Sequence, residues 1–189
     1  MADKITQIIK DSIAIKEQIL KTMAPDIHKV SDAIVKSIKS KGKVILFGNG
    51  GSAADSQHIA AEFVGRFKLE RSALAALALT TNTSTLTSIG NDYGYEEIFS
   101  RQVEALGNKD DIVIAISTSG NARNVIAGML EAKKQNIKTV AMTGEDGGQL
   151  APLADISLLI PSSNTARIQE AHILIGHIIC EIVEDKLFG

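Results

Sequence analysis

Two stretches of this 189-residue chain carry side chains whose types and spacing could do chemistry. In the first, His58 and Glu62 stand four residues apart, so a helix puts them on one face. In the second, Gln169 and His177 stand eight apart, about 80° off register, and share a broad face. Two imidazoles, a carboxylate and an amide oxygen suit a divalent metal such as zinc. A carboxylate beside an imidazole equally suits proton transfer at a carbonyl-bearing substrate. Each residue also has an ordinary reading: His58 a surface histidine, Glu62 a partner for Arg66, Gln169 a cap or a solvent-facing amide. His177 fits such a reading least, because it sits in mid-helix among isoleucines.

Two loops add a second chemistry. The segment 48–52 reads Gly-Asn-Gly-Gly-Ser; its glycines permit positive φ and close backbone approach, and Ser52 can cap a following helix. The segment 117–121 reads Ser-Thr-Ser-Gly-Asn. Three hydroxyls and free N–H groups before a helix make a cradle for a phosphate-sized anion. Neither loop has the spacing of a dinucleotide or Walker motif, and a tight strand-to-helix turn explains either one alone. The weaker candidates are a turn signal at Asn91-Asp92-Tyr93-Gly94, where Asp92 could serve only as a cap, His172 as a structural histidine and Cys180 as a buried hydrophobe.

The elements that must position these residues follow from periodicity. Residues from about 4 to 40 place isoleucines and valines at helical spacing, with Pro25 interrupting the pattern and Gly42 ending it. Five short apolar runs follow, at 43–47, 75–79, 111–116, 138–142 and 155–160, with helical patterns between them. Runs that are apolar throughout suit strands covered on both faces. The expected fold is a three-layer α/β/α sandwich around a five-stranded parallel sheet, with N-terminal helices, in one domain over 1–189. The last helix, about 165–186, is apolar nearly all round and is expected to bury itself against another subunit. Ligands of such a sheet bind at the carboxyl ends of its strands, where both loops fall.

Composition excludes several classes. Lys and Arg number 20 against 22 Asp and Glu, a formal net charge of −2, and no basic block occurs, so neither nucleic acid nor membrane is an expected partner. Apolar residues at 44% and charged residues at 22% exclude whole-chain disorder. A single cysteine excludes an intrachain disulfide and a thiolate-rich zinc site. No signal-peptide layout and no membrane-length apolar run is present, so the expected location is the cytoplasm.

Taken together and in order, the stretch 47–58 (FGNGGSAADSQH), Ala61-Glu-Phe63, Asn91-Asp92, 116–121 (ISTSGN) and 167–172 (RIQEAH) resemble the sugar isomerase (SIS) family of the phosphoheptose isomerase type. The resemblance covers essentially the whole chain. It implies a homotetramer with active sites at subunit interfaces, one zinc ion per subunit and conversion of D-sedoheptulose 7-phosphate to D-glycero-D-manno-heptose 7-phosphate for bacterial heptose synthesis, as in lipopolysaccharide. By position it implies substrate contacts from Asn49, Gly50, Gly51, Ser52, Glu62, Asn91, Asp92 and Gln169, with the phosphate on Ser117, Thr118 and Ser119. It implies zinc ligation by His58, Glu62, Gln169 and His177, and proton transfer by Glu62 and His177. Two positions depart from the pattern: Ala122 stands where many members have a serine, and Ala166 where some have an aspartate. The competing reading is a non-catalytic SIS protein, binding a phosphosugar or associating with a replication initiator.

Overall fold

A computed structural model of the chain describes residues 2–189. Its frame is a sheet of five parallel strands: β1 (Val44–Gly48), β2 (Ala76–Ala78), β3 (Ile112–Ser117), β4 (Lys138–Thr143) and β5 (Ile156–Leu159). They lie in the order β2-β1-β3-β4-β5. Seven helices surround it: α1 (Ala2–Thr22), α2 (Ala24–Lys39), α3 (Gly51–Val64), α4 (Thr83–Asp92), α5 (Ser100–Leu106), α6 (Arg123–Lys134) and α7 (Thr165–Phe188). Each expected strand is present, with no end shifted by more than one residue. The interruption expected at Pro25 is present: α1 ends at Thr22 and α2 starts at Ala24, with Pro25 in its first turn, as suits a residue without an N–H.

Strand alternation divides the core in two. Val44, Leu46, Ile112, Ile114, Ile116, Val140 and Met142 point to the layer of α2, α3 and α7. Ile45, Phe47, Val113, Ala115 and Ala141 point to the layer that includes Ile89 of α4, Val103 of α5 and Val125 and Met129 of α6. Covered on both sides, β1 and β3 are buried along their whole length. This is why they carry no polar alternation. The chain leaves β1 toward β2 on one side, while β3 lies on the other. The carboxyl ends of β1 and β3 therefore flank a topological switch point, and the loops 48–52 and 117–122 emerge there.

The chain itself covers one face of the C-terminal helix, while Ile173, Ile178 and Ile182 stay only partly buried. Ile168, Ala171, Ile175, Ile179, Cys180 and Val183 of α7 are buried within this chain, with α2 and α3 as its main neighbours. Apolar exposure falls also on α1, where Ile5, Ile8, Ile9 and Ile13 face outward and Leu20 is 78% exposed. Cys180 behaves as a buried hydrophobe, its thiol pushed up to about 12 by burial.

Two buried charge-bearing groups make the fold acid-sensitive. His172 is fully buried, with Nε2 3.3 Å from the Thr143 carbonyl. Burial holds its pKa down at about 4, outweighing that hydrogen bond. The unfolded imidazole titrates near 6.5, so below that pH the unfolded chain takes up a proton that the folded chain refuses. The His172 contribution is complete above pH 6.5 and is lost as pH falls toward 4, by about 3 kcal/mol. Asp55 acts in the opposite sense, because burial raises its pKa from 3.8 to about 6. The His172 part is therefore read by difference: denaturant titrations at pH 7 and pH 4.5 should show a smaller loss for H172Q than for the wild type. Equal losses would contradict this account.

Glu184 on α7 is the second group. Its carboxylate accepts the backbone N–H groups of Phe67 (3.0 Å), Lys68 (2.7 Å) and Leu69 (2.7 Å), and Nε of Arg71 at 2.9 Å. Burial alone would raise its pKa, but these donors outweigh burial and hold it at about 2. Both side chains of this ion pair are 2% exposed. The Arg71 guanidinium also donates to the carbonyls of Glu62 (2.9 Å), Phe63 (2.8 Å), Gly65 (3.2 Å) and Ser72 (3.0 Å). It thus adds donors to carbonyls at the end of α3 and in the segment after it.

Candidate active site

Helices α3 and α7 run side by side in the same direction. Gln169 lies over Gly51, Gly176 meets Ile59, and His177 meets His58. This parallel register puts the two chemically promising stretches against each other along their length. His58 Nε2 stands 2.9 Å from His177 Nε2 and 3.4 Å from a Glu62 carboxylate oxygen. One ligand atom from each of the three lies within 4.8 Å of the others. Ligands about 2.0–2.1 Å from a tetrahedral zinc stand roughly 3.3 Å apart. The donor set and its spacing therefore fit a divalent ion with little movement. Arg66 turns to Glu70 instead of Glu62, so the ordinary reading of Glu62 does not apply.

Gln169 joins this face at its amino end. A Cβ on Gly51 would fall 2.3 Å from the Gln169 amide nitrogen, so glycine at 51 is what lets the amide approach the first turn of α3. Asp55 shares the face too, one helical turn from both Gly51 and His58. One of its carboxylate oxygens is buried without a hydrogen-bond partner. Motif reading passed over Asp55, though the spacing 51, 55, 58, 62 marks a single helical stripe.

Both loops lie where expected, with changes in detail. Ser52 is buried in the first turn of α3 and does not cap it; Gly50, at φ +55°, holds the cap position. The hydroxyls of the second loop precede α6 by several residues, and Ala122 caps that helix without a side-chain hydrogen bond. A serine there could supply one. Gly120, at φ +64°, packs so closely on Gly147 that a Cβ would lie 2.1 Å from the Gly147 carbonyl oxygen. The loop is thereby folded back toward the end of β4. Thr118 and Ser119 line a cleft of about 330 Å3 with Ser162, Ser163 and Thr165. Glu145 and Asp146 also border it. Ser117 is buried at the end of β3.

Asn49 ties the loops together. Its amide exchanges two hydrogen bonds with the buried Asn124 of α6, at 2.8 and 2.9 Å, and accepts a third from the Tyr95 hydroxyl at 3.1 Å. One N–H of the Asn49 amide is left for any ligand. Asn91 and Asp92 are exposed at the end of α4 and hydrogen-bond each other at 2.8 Å. The link from their turn to the first loop is made by Tyr95. Asn124 and Tyr95 escaped sequence reading because neither belongs to a loop motif; only the folded topology brings them to Asn49.

A parallel sheet with two ligand loops at its switch point, and a histidine–carboxylate cluster on the helix that follows the first of them, defines a class before it defines a protein. The family described as SIS domain matches residues 7–144. Phosphoheptose isomerases from Sulfurimonas denitrificans and Clostridium acetobutylicum are each 53% identical over 191 aligned residues. These alignments cover 100% of this chain and 98% and 97% of the relatives. The solved phosphoheptose isomerase of Neisseria gonorrhoeae superposes with a TM-score of 0.92 at 41% identity, covering 97% of this chain and 98% of that one. The chain belongs to the phosphoheptose isomerase family of SIS-domain proteins.

Proposed function

We propose that the chain is an aldose–ketose isomerase converting D-sedoheptulose 7-phosphate to D-glycero-D-manno-heptose 7-phosphate in bacterial heptose synthesis. The observation that carries this reading is the His58/Glu62/His177 cluster, with His58 and Glu62 two and three turns along the helix that the first ligand loop starts. The phosphate binds at Ser117, Thr118 and Ser119, and the sugar runs toward α3 past Asn49, Gly50, Gly51, Ser52, Asn91, Asp92 and Gln169. Glu62 takes a proton from C1 of the open-chain ketose while His177 gives one to the C2 oxygen, forming an enediol. Glu62 then returns the proton to C2, and His177 takes the hydroxyl proton from O1 as the aldehyde forms. Each group ends as it began, which an isomerase requires.

His58, Glu62, Gln169 and His177 would hold one zinc ion per subunit, consistent with the spacing of the first, second and fourth. Bound there, zinc would act as a Lewis acid toward the substrate carbonyl. The exposed isoleucines of α1 support assembly as a homotetramer, since an apolar stripe of that kind marks a protein interface. The whole chain forms one domain in this reading, with α1 and α2 as its N-terminal segment. A single buried thiol suits the cytoplasm, and no described helix is long and apolar enough to cross a membrane.

Chromatography of sedoheptulose 7-phosphate after incubation with the purified protein tests the reaction. The expected result is a new aldose phosphate, with turnover falling after chelator treatment and returning with zinc. Binding without conversion would favour the non-catalytic alternative, which keeps the loops and has no use for the cluster. The Asn49 brace gives a second expectation. Asn124→Ala removes two hydrogen bonds that hold Asn49 and should weaken sugar-phosphate binding about tenfold. Unchanged affinity in a titration of that variant would contradict a bracing role.

A further inference from the structure

His177 lacks the usual device for orienting a working imidazole. Such a ring normally donates its second nitrogen to a carboxylate or a backbone carbonyl, which fixes both tautomer and tilt. Among the described residues, the one hydrogen bond of His177 goes to His58, whose own ring is half exposed. What His177 has instead is an aromatic neighbour: the Phe67 ring lies 5.7 Å away, tilted by 39°. His58 contacts it edge-on from 5.1 Å, so the imidazole touches two rings.

Phe67 belongs to a segment after α3 without regular secondary structure. Such a segment positions a ring only if its backbone is tied down. The tie is the Glu184 carboxylate, which accepts three successive N–H groups beginning with that of Phe67 itself. Glu184 lies seven residues after His177 on α7, so both project from one side of the helix. Arg71 completes the clamp by holding Glu184 and the Glu62 carbonyl together. Lys68 adds an ion pair to Glu181 at 2.5 Å.

We propose that Phe67, fixed by the Arg71–Glu184 clamp, is a positioning residue that holds the His177 imidazole against His58 and Glu62 in the geometry proton transfer needs. This rests on the isomerase reading for its kinetic consequence, but not for its structural one. Phe67 touches no reacting atom, and its effect runs through the tilt of His177. Misplacing a reacting group by about 1 Å can cost a hundredfold in rate, so a loosened ring should act on turnover rather than on binding.

The test compares Phe67→Ala, Phe67→Tyr and Glu184→Gln with the wild type, in steady-state kinetics on sedoheptulose 7-phosphate and in crystal structures. The expected result for Phe67→Ala is a kcat lower by about 10- to 100-fold, with KM within about threefold. Its crystal structure should show the His177 ring displaced from His58. Phe67→Tyr should restore kcat, because it restores the ring. Glu184→Gln should resemble Phe67→Ala, with melting temperature recorded to separate stability from positioning. A Phe67→Ala kcat within twofold of wild type, or a His177 ring unmoved in that variant, overturns the proposal. If the wild type itself gives no turnover, the isomerase reading fails, and the ring position in Phe67→Ala still decides this one.

Discussion

Replacing Glu62 by glutamine should leave the protein folded and able to bind sugar phosphate, while turnover falls about a hundred- to ten-thousand-fold. The amide matches the carboxylate in shape but cannot take a proton from carbon. Glu62 lies on the α3 stripe, away from the buried positions of that helix, so the substitution removes chemistry and little packing. Its carbonyl, which Arg71 Nη2 holds at 2.9 Å, is a backbone group and survives the change. Steady-state kinetics alongside a binding titration check the expectation. Turnover near that of the wild type would remove Glu62 from the role of base. Lost binding with a preserved fold would instead make it mainly a ligand contact.

Arg71→Met should produce the largest loss of stability. It leaves the Glu184 carboxylate buried with three backbone donors and no cation. Four carbonyls at the end of α3 and in the following segment lose the guanidinium as a donor as well. Breaking a buried pair from one side costs about 3–5 kcal/mol, which for a chain of this size lowers the melting temperature by roughly 6–20 °C. The pH dependence should change with it. Glu184 contributes stability that is complete above its unfolded value of 4.5 and lost as pH falls toward about 2. Without Arg71 its folded pKa rises, so that contribution shrinks and acid unfolding begins at a higher pH. Thermal melts from pH 7 to pH 3 would show both effects. A drop below about 1 kcal/mol would mean that water or rearranged backbone replaces the guanidinium.

Most of the sheet was legible because its signal is local. A strand covered on both faces must be apolar at every position, and the runs at β1 and β3 met that condition without ambiguity. The two ligand loops were legible for a related reason, since glycines and hydroxyls at strand ends advertise turns and anion cradles. The histidine–carboxylate pairing was half legible. Helical spacing placed His58 with Glu62, but only the parallel register of α3 and α7 could show that His177 meets them. Ser52 as a cap was misread because Gly50, with positive φ, starts the helix first. That α2 and α3 cover one face of α7 was not legible, because no sequence pattern reveals which helices pack together. The clamp of Arg71 and Glu184 was invisible, since it joins residues 113 apart and relies on backbone N–H groups that every residue possesses.

The central claim is that this site moves a proton between C1 and C2 of a ketose phosphate through Glu62. Proton NMR of sedoheptulose 7-phosphate with the protein in deuterated water tests that claim most directly. The account predicts aldose anomeric signals, deuterium at C2 of the product, and neither of these with Glu62→Gln. Unchanged substrate spectra from folded protein that binds the sugar phosphate would contradict it, as would full activity in Glu62→Gln.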